Sequence, residues 1–284
     1  MDAKYLAIFV FFFAVLLEEA ALNLMLPMLE RGGALRENYR KEKIPVSAGI
    51  TFPLVLIACF ILIQFSGSFI DQHYFIYLLS VLAMGFLGFI DDMLGGRDTL
   101  GFKGHFTKLL KERTLTTGGL KAFGGGIIAA YAALFFSSGI LEFIVNTLLI
   151  ALFTNSMNLF DLRPGRCIKA FLVLFAPLLL LADTDLLMFI PLFGAVLIYF
   201  PYDLKARAMM GDTGSNVLGI TLGLLAVYGY PLVVRIVLVL LLIGLHILTE
   251  RISLTKIISE NRYLDFFDRL GRSEARDQPE PDRR

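Results

Sequence analysis

Apolar runs separated by short polar loops recur along the whole chain. Nine fall at about 5–28, 48–66, 73–91, 120–138, 140–160, 168–182, 186–202, 214–229 and 231–249. A helix needs about 20 apolar residues to cross roughly 30 Å of hydrocarbon, the length most of these runs approach. The pattern predicts an all-α, polytopic integral membrane bundle of about nine transmembrane helices. The first run is too long for a signal-peptide core and lacks an Ala-x-Ala-like cleavage site, so it is expected to stay as a helix. Domain organisation follows: a membrane domain over 1–250, a cytosolic amphipathic segment over 251–272, and a disordered tail over 273–284. The amphipathic segment carries Ile252, Leu254, Ile257, Ile258, Leu264, Phe266, Phe267 and Leu270. It fits either an interfacial helix or a segment packed under the bundle.

Composition agrees with the pattern. The chain is 57% hydrophobic and 18% charged, with a mean hydropathy of +0.72, whereas soluble domains carry about a quarter charged residues. The net charge of +1 hides an asymmetry, because 24 of the 26 basic residues fall in alternate loops and after residue 250. Only Lys4 and Arg235 do not. The positive-inside rule therefore places the amino terminus outside and the carboxyl terminus in the cytosol, in a multi-pass plasma-membrane protein. Nothing points to a nucleic-acid partner. Cys59 and Cys167 have no metal spacing, and the histidines (His73, His105, His246) are scattered. A homodimer is left open, with no interface marked. No internal repeat is visible, which argues against a transporter of inverted halves. Glu18-Glu19, inside the first run, would be that reading's acidic groups.

Carboxylates at helix ends are the chemical signal. Asp91-Asp92 closes the third run, Asp161 follows the fifth, and Asp212 opens Gly211-Asp212-Thr213-Gly214-Ser215-Asn216. All lie on the predicted cytosolic side. Two adjacent like charges at a membrane boundary are costly to desolvate without a counter-charge, and such a pair can hold a divalent cation. Each Asp taken alone also fits a helix cap. The small residues after Gly211 would expose backbone N–H groups to an anion at a helix start. The loop around Lys41, Lys43 and Pro45 supplies a basic rim with a turn, and the loop around Lys103 and Lys108 supplies a basic amphipathic face.

In order, these blocks are specific: Ile44-Pro45-x-x-x-Gly49, Gly88-Phe89-Ile90-Asp91-Asp92, Gly101-Phe102-Lys103-Gly104-His105-Phe106, Leu115-Thr116-Thr117-Gly118-Gly119-Leu120-Lys121, Asn155-x-x-Asn158-Leu159-x-Asp161 and Met210-Gly211-Asp212-Thr213-Gly214-Ser215. Over residues 20–250 the chain resembles the polyprenyl-phosphate N-acetylhexosamine-1-phosphate transferases (glycosyltransferase family 4). The resemblance implies that a polyprenyl phosphate attacks the β-phosphorus of a nucleotide-sugar at the cytosolic face, for cell-envelope glycan synthesis. It implies Mg²⁺, with Mn²⁺ as an alternative, and Asp92 and Asp212 as metal ligands. Asp91 aligns with a proposed general base. A phosphate monoester with a second pKa of about 6 is mostly dianionic at neutral pH, so positioning and metal support suit Asp91 better. Lys41, Lys43, Lys103, Lys108 and Lys121 are the candidates for substrate phosphates. Asn158 and Asp161 are the other substrate-binding candidates. A binding or scaffolding relative without turnover is the alternative.

Two departures stand out. The family continues its third block as Asn-Leu-x-Asp-Gly-x-Asp-Gly, but here Asp161 is followed by Leu162-Arg163-Pro164-Gly165-Arg166. The family's histidine-rich loop after the ninth helix is replaced by Ser259–Arg272, without histidine.

The charge asymmetry makes a direct prediction. A cysteine introduced at Gly96 should react only from the cytosolic side, and one at Gly139 only from outside. Labelling of Gly96→Cys by an impermeant reagent on intact cells would reverse the topology.

Overall fold

A computed structural model of the chain describes residues 3–67, 71–95, 116–182 and 186–272. Among these residues nine helices of 15 or more residues coincide with the nine apolar runs: α1 (Ala3–Arg31), α2 (Thr51–Phe65), α3 (Gln72–Leu94), α4 (Thr117–Leu134), α5 (Ile140–Phe160), α6 (Arg166–Leu181), α7 (Ile190–Leu204), α8 (Gly211–Gly229) and α9 (Leu232–Arg251). Two short helices follow, α10 (Leu254–Glu260) and α11 (Arg262–Arg269). By length and composition, six helices suffice to cross a membrane. α4, α6 and α8 fall short of that criterion: α4 opens on glycines, α6 has 16 residues with Pro177 inside, and α8 opens on polar residues.

The chain is not all helix. Gly33, at φ +77°, ends α1, and a two-stranded antiparallel ribbon follows, β1 (Leu35–Glu37) on β2 (Lys43–Pro45). Its turn is built by Asn38, whose side-chain oxygen accepts from the N–H groups of Arg40 (2.8 Å) and Glu42 (3.0 Å). A charged loop with no apolar alternation hides this pair from a periodicity reading.

α8 is the axis of the bundle. Every residue from Thr213 to Val227 is buried, as expected of a helix apolar all round. Small residues let its neighbours approach. A Cβ on Gly219 would collide with Thr154, and one on Gly223 with Ile150 at 2.7 Å, both on α5. α9, by contrast, is mostly exposed, its Val233, Leu240 and Leu241 facing outward, which suits a lipid-facing helix.

One end of the bundle is tied together by backbone. The N–H groups of Ala48 and Gly49 donate to the carbonyls of Met209 and Met210, and Met209 N–H donates to Pro45 O. Gly49 and Gly214 are in direct backbone contact, and a Cβ on Gly88 would occupy the Asp212–Thr213 peptide. Glycines of three sequence blocks thus meet at one point, because only a residue without Cβ fits there.

Candidate functional site

The first turn of α8 has no side-chain cap of its own, since Met210 occupies that position. Asp92, at the end of α3, supplies the cap from outside. Its Oδ1 accepts from Asp212 N–H (2.9 Å), and its Oδ2 accepts from Thr213 N–H (3.1 Å), Thr213 Oγ1 (2.7 Å) and Ser47 Oγ (2.6 Å). Three of the four donors crowd onto Oδ2, and Oδ1 takes one. The anion expected at this helix start is therefore the protein's own carboxylate, placed where helix dipole and free N–H groups favour it. Gly211 lies at φ +73°, and a Cβ there would strike the Asp92 carboxylate, so glycine is required twice over at that position.

Capping turns Asp212 toward a cavity of about 460 Å³ at this end of the bundle, lined by Arg36, Tyr39, Asp91, Asp161, Arg163, Asp203 and Asp212 among others. Lys121 Nζ of α4 pairs with Asp212 Oδ2 and lies 3.8 Å from Asp91 Oδ2. Asp91 and Asp212 thus share Lys121 as neighbour, one lysine serving two carboxylates. Asp161 caps the end of α5 and faces the same cavity; burial first, then the carboxylates of Asp203, Asp212 and Asp92, holds its carboxyl well above the usual range. Burial and like charge thus favour its neutral form.

The other candidates are distributed as follows. Lys41 and Lys43 are exposed on the β1–β2 ribbon and do not line the cavity. Asn158 is spent on structure: its amide donates to Asn216 Oδ1 (2.8 Å) and its oxygen accepts from Ser215 Oγ, tying α5 to α8. Lys103 and Lys108 lie outside the described residues. Glu18 is fully buried in α1, where Thr51 Oγ1 donates to its Oε1 at 2.6 Å, an intramolecular tie between α1 and α2.

Three participants were not apparent from the sequence. Ser47 had no signal beyond its place in the Pro45–Gly49 block. Arg36 crosses from β1 to donate to the carbonyls of Asp92 and Gly95, closing the end of α3 in the manner of a C-terminal cationic cap. Asp203, buried in α7, accepts from Gly165 N–H at 2.7 Å and so holds the loop that follows Asp161.

Two residues of that loop wall the cavity. Pro164 lines it, and the Arg163 guanidinium sits 5.9 Å from the Tyr39 ring centre across its mouth. Arg166 does not face the cavity. It turns away into a buried ion pair with Asp268 of α11.

Residues 74–230, more than half of the chain, match the family model described as glycosyl transferase family 4. The chain belongs to glycosyl transferase family 4. It is 29% identical over 239 residues to a phospho-N-acetylmuramoyl-pentapeptide-transferase of Carboxydothermus hydrogenoformans, covering 77% of this chain and 70% of that protein. It is 26% identical over 230 residues to the proteins of the same name from Borreliella burgdorferi and Borrelia garinii, covering 70% of this chain and 64% of theirs. The match thus spans about two thirds of the relatives' length. Asp91, Asp92, Lys121, Asp161 and Asp212 all fall within the stretch matched to glycosyl transferase family 4, whereas Ser47 and α10–α11 fall outside it. With its apolar helices, this family member is a multi-pass plasma-membrane protein.

The geometry separates Asp92 from Asp212 experimentally. Removing Asp92 deletes a helix cap worth about 1–2 kcal/mol and strands buried donors worth about 1–3 kcal/mol. Asp92→Ala should therefore lower Tm in detergent by roughly 5–10 °C. Asp212→Asn, whose side chain bonds only at the cavity surface, should melt within about 2 °C of wild type. Equal melting of the two would remove the capping role.

Proposed function

We propose that the protein transfers a sugar-1-phosphate, N-acetylhexosamine-1-phosphate by family resemblance, from a nucleotide-activated sugar to a polyprenyl phosphate, at the cytosolic face of the membrane. The observation that carries the reading is a cavity lined by Asp91, Asp161 and Asp212, the first and last also paired with Lys121, within a family of glycosyl transferases whose relatives here are named for phospho-sugar transfer. A lipid phosphate oxygen forms a new bond to the β-phosphorus, the bond to the bridging oxygen breaks, and the nucleoside monophosphate leaves with that oxygen. All partners in this step are anionic.

The residues suit Mg²⁺, or Mn²⁺ in its place, as cofactor. Mg²⁺ is usually held by one or two carboxylates plus substrate phosphates and water rather than by an all-protein cage. Asp212 and Asp91 offer such a pair, and among the described residues no group of three His, Cys, Asp or Glu is arranged as a metal cage. Bound there, the ion would neutralise charge on the pyrophosphate that otherwise repels the attacking phosphate. Asp92, the other metal ligand expected from the motif, also lines the cavity, and its bonds to the start of α8 orient Asp212. Lys121 supplies a fixed positive charge between the two carboxylates and can transfer its attraction to an incoming phosphate. Asp91 holds position; the attacking phosphate needs no base to become anionic.

The donor's base is expected at the loop over 161–164. Pro164 stands where the family carries a carboxylate, and it can neither accept through a side chain nor donate through its backbone. Losing one charge-assisted hydrogen bond to the uracil imide costs about 1.5–3 kcal/mol, so uracil is read more weakly here.

The test is exchange of radiolabelled UMP into UDP-GlcNAc by purified protein with polyprenyl phosphate and Mg²⁺. Exchange should occur, should fall at least about 10²-fold in Asp212→Asn, and should be diluted by CMP, GMP and AMP within roughly 100-fold of unlabelled UMP. Wild-type turnover in Asp212→Asn would refute the site assignment. Absence of exchange with any nucleotide-sugar would favour a binding relative without turnover.

A further inference from the structure

The segment after α9 is bonded to the cavity wall from behind. Asn261 caps α11 by accepting from the N–H groups of Tyr263 and Leu264, and Ser253 caps α10 through Lys256 N–H. The two short helices then deliver Asp268, buried at 6% exposure, to Arg166, buried at 5%. The pair is bidentate, Nε to Oδ1 at 2.8 Å and Nη2 to Oδ2 at 2.9 Å, with Arg166 Nη1 donating to Thr255 Oγ1 at 3.0 Å. Lys169, one turn along α6, donates to the carbonyls of Phe267, Asp268 and Leu270 and so closes the end of α11. Arg272 completes the arrangement. Its Nε donates to Pro164 O at 2.8 Å, and its Nη2 lies 2.8 Å from Asp268 Oδ1.

These bonds share one target, the loop between α5 and α6. Its front face, Asp161 to Pro164, lines the cavity, and its back face is held at Pro164 and Arg166. Within the loop, Asp203 takes Gly165 N–H, Leu162 N–H bonds Phe160 O, Asp161 N–H bonds back into α5, and Arg166 N–H bonds Arg163 O. A buried, geometrically matched Arg–carboxylate pair favours one arrangement over its neighbours, because any slip leaves charges unpaired away from water.

We propose that residues 261–272 are a clamp that sets the donor-binding loop, with Asp268 and Arg272 as positioning residues for the nucleotide. The inference rests on the donor reading above for its ligand, but not for the clamp itself. It also gives the two departures from the family pattern a common cause. Arg166 is the anchor, on the site's own loop, for the segment that stands where the family carries its histidine-rich loop.

The test compares the full-length protein with Arg272→Gln and Asp268→Asn by amide hydrogen exchange and by calorimetric binding of UDP with Mg²⁺. Arg272→Gln removes the tie to Pro164 while leaving the Arg166–Asp268 pair in place, so it serves if Asp268→Asn does not fold. The clamp predicts amide exchange over 161–166 about tenfold faster in the variants, with exchange over 144–154 of α5 unchanged, and UDP binding about tenfold weaker. A role in general stability would instead speed exchange everywhere and lower Tm in proportion. Unchanged exchange over 161–166 would overturn the clamp; faster exchange with unchanged UDP affinity would overturn its role in positioning. If the wild type does not bind UDP at all, the donor reading falls, and the loop exchange alone still decides the clamp.

Discussion

The organisation of the site depends on one carboxylate capping a helix to which it does not belong. α8 begins with N–H groups that its own cap residue, Met210, does not satisfy. Asp92 reaches across from α3 to accept from both Asp212 and Thr213, while Ser47 donates to it from the segment before α2. Three stretches, with Asp92 lying 45 residues from Ser47 and 121 from Thr213, are thereby fixed at one point. Uncapped N–H groups buried at a helix start are expensive, so the junction has little freedom. The glycines around it follow from this requirement. Gly49, Gly88, Gly211 and Gly214 each stand where a Cβ would meet backbone or the Asp92 carboxylate.

With Asp92 committed, the remaining charges are arranged for a ligand. Asp212 cannot rotate back into its own helix start, so its carboxylate meets Lys121, the neighbour of Asp91, at the cavity. Two carboxylates beside a single lysine leave negative charge only partly balanced, and after burial itself that charge is one of the causes that raise the pKa of the Asp161 carboxyl. A divalent cation accompanied by a pyrophosphate complements that arrangement in sign and in ligand type. The same end of the bundle contains the clamp at Arg166 and Asp268. Its pair is buried and bidentate, whereas the Lys121 contacts are half-exposed. The protein thus fixes the back wall of the cavity more firmly than the groups at its front.

Much of this was legible in the sequence. Apolar runs of membrane length appear as helices because composition alone decides them, and α3, α5 and α8 end or begin at Asp91, Asp161 and Asp212 as the motifs require. What each Asp does was not legible. Asp91 and Asp92 are adjacent and both line the cavity, but successive helical residues point about 100° apart, so only Asp92 reaches the backbone at the start of α8. Asn158 looked like a ligand residue and is a strut, because its partners lie 57 and 58 residues away. Arg166 stood only as a departure from the family pattern, and its pairing with Asp268 was hidden because that partner lies 102 residues away. Pairings at such separations leave no local pattern. The ribbon at 35–45 was missed for the opposite reason, since Asn38 builds it with bonds too local to give a strand period.

The account is tested most directly by locating a bound metal. Crystals or frozen specimens of the protein with Mn²⁺ and UDP would show the ion by its anomalous or map density. The account predicts an ion held by Asp212 and Asp91 together with phosphate oxygens, while Asp92 keeps its bonds to Ser47, Asp212 and Thr213. An ion coordinated by Asp92, with the cap on α8 broken, would contradict it.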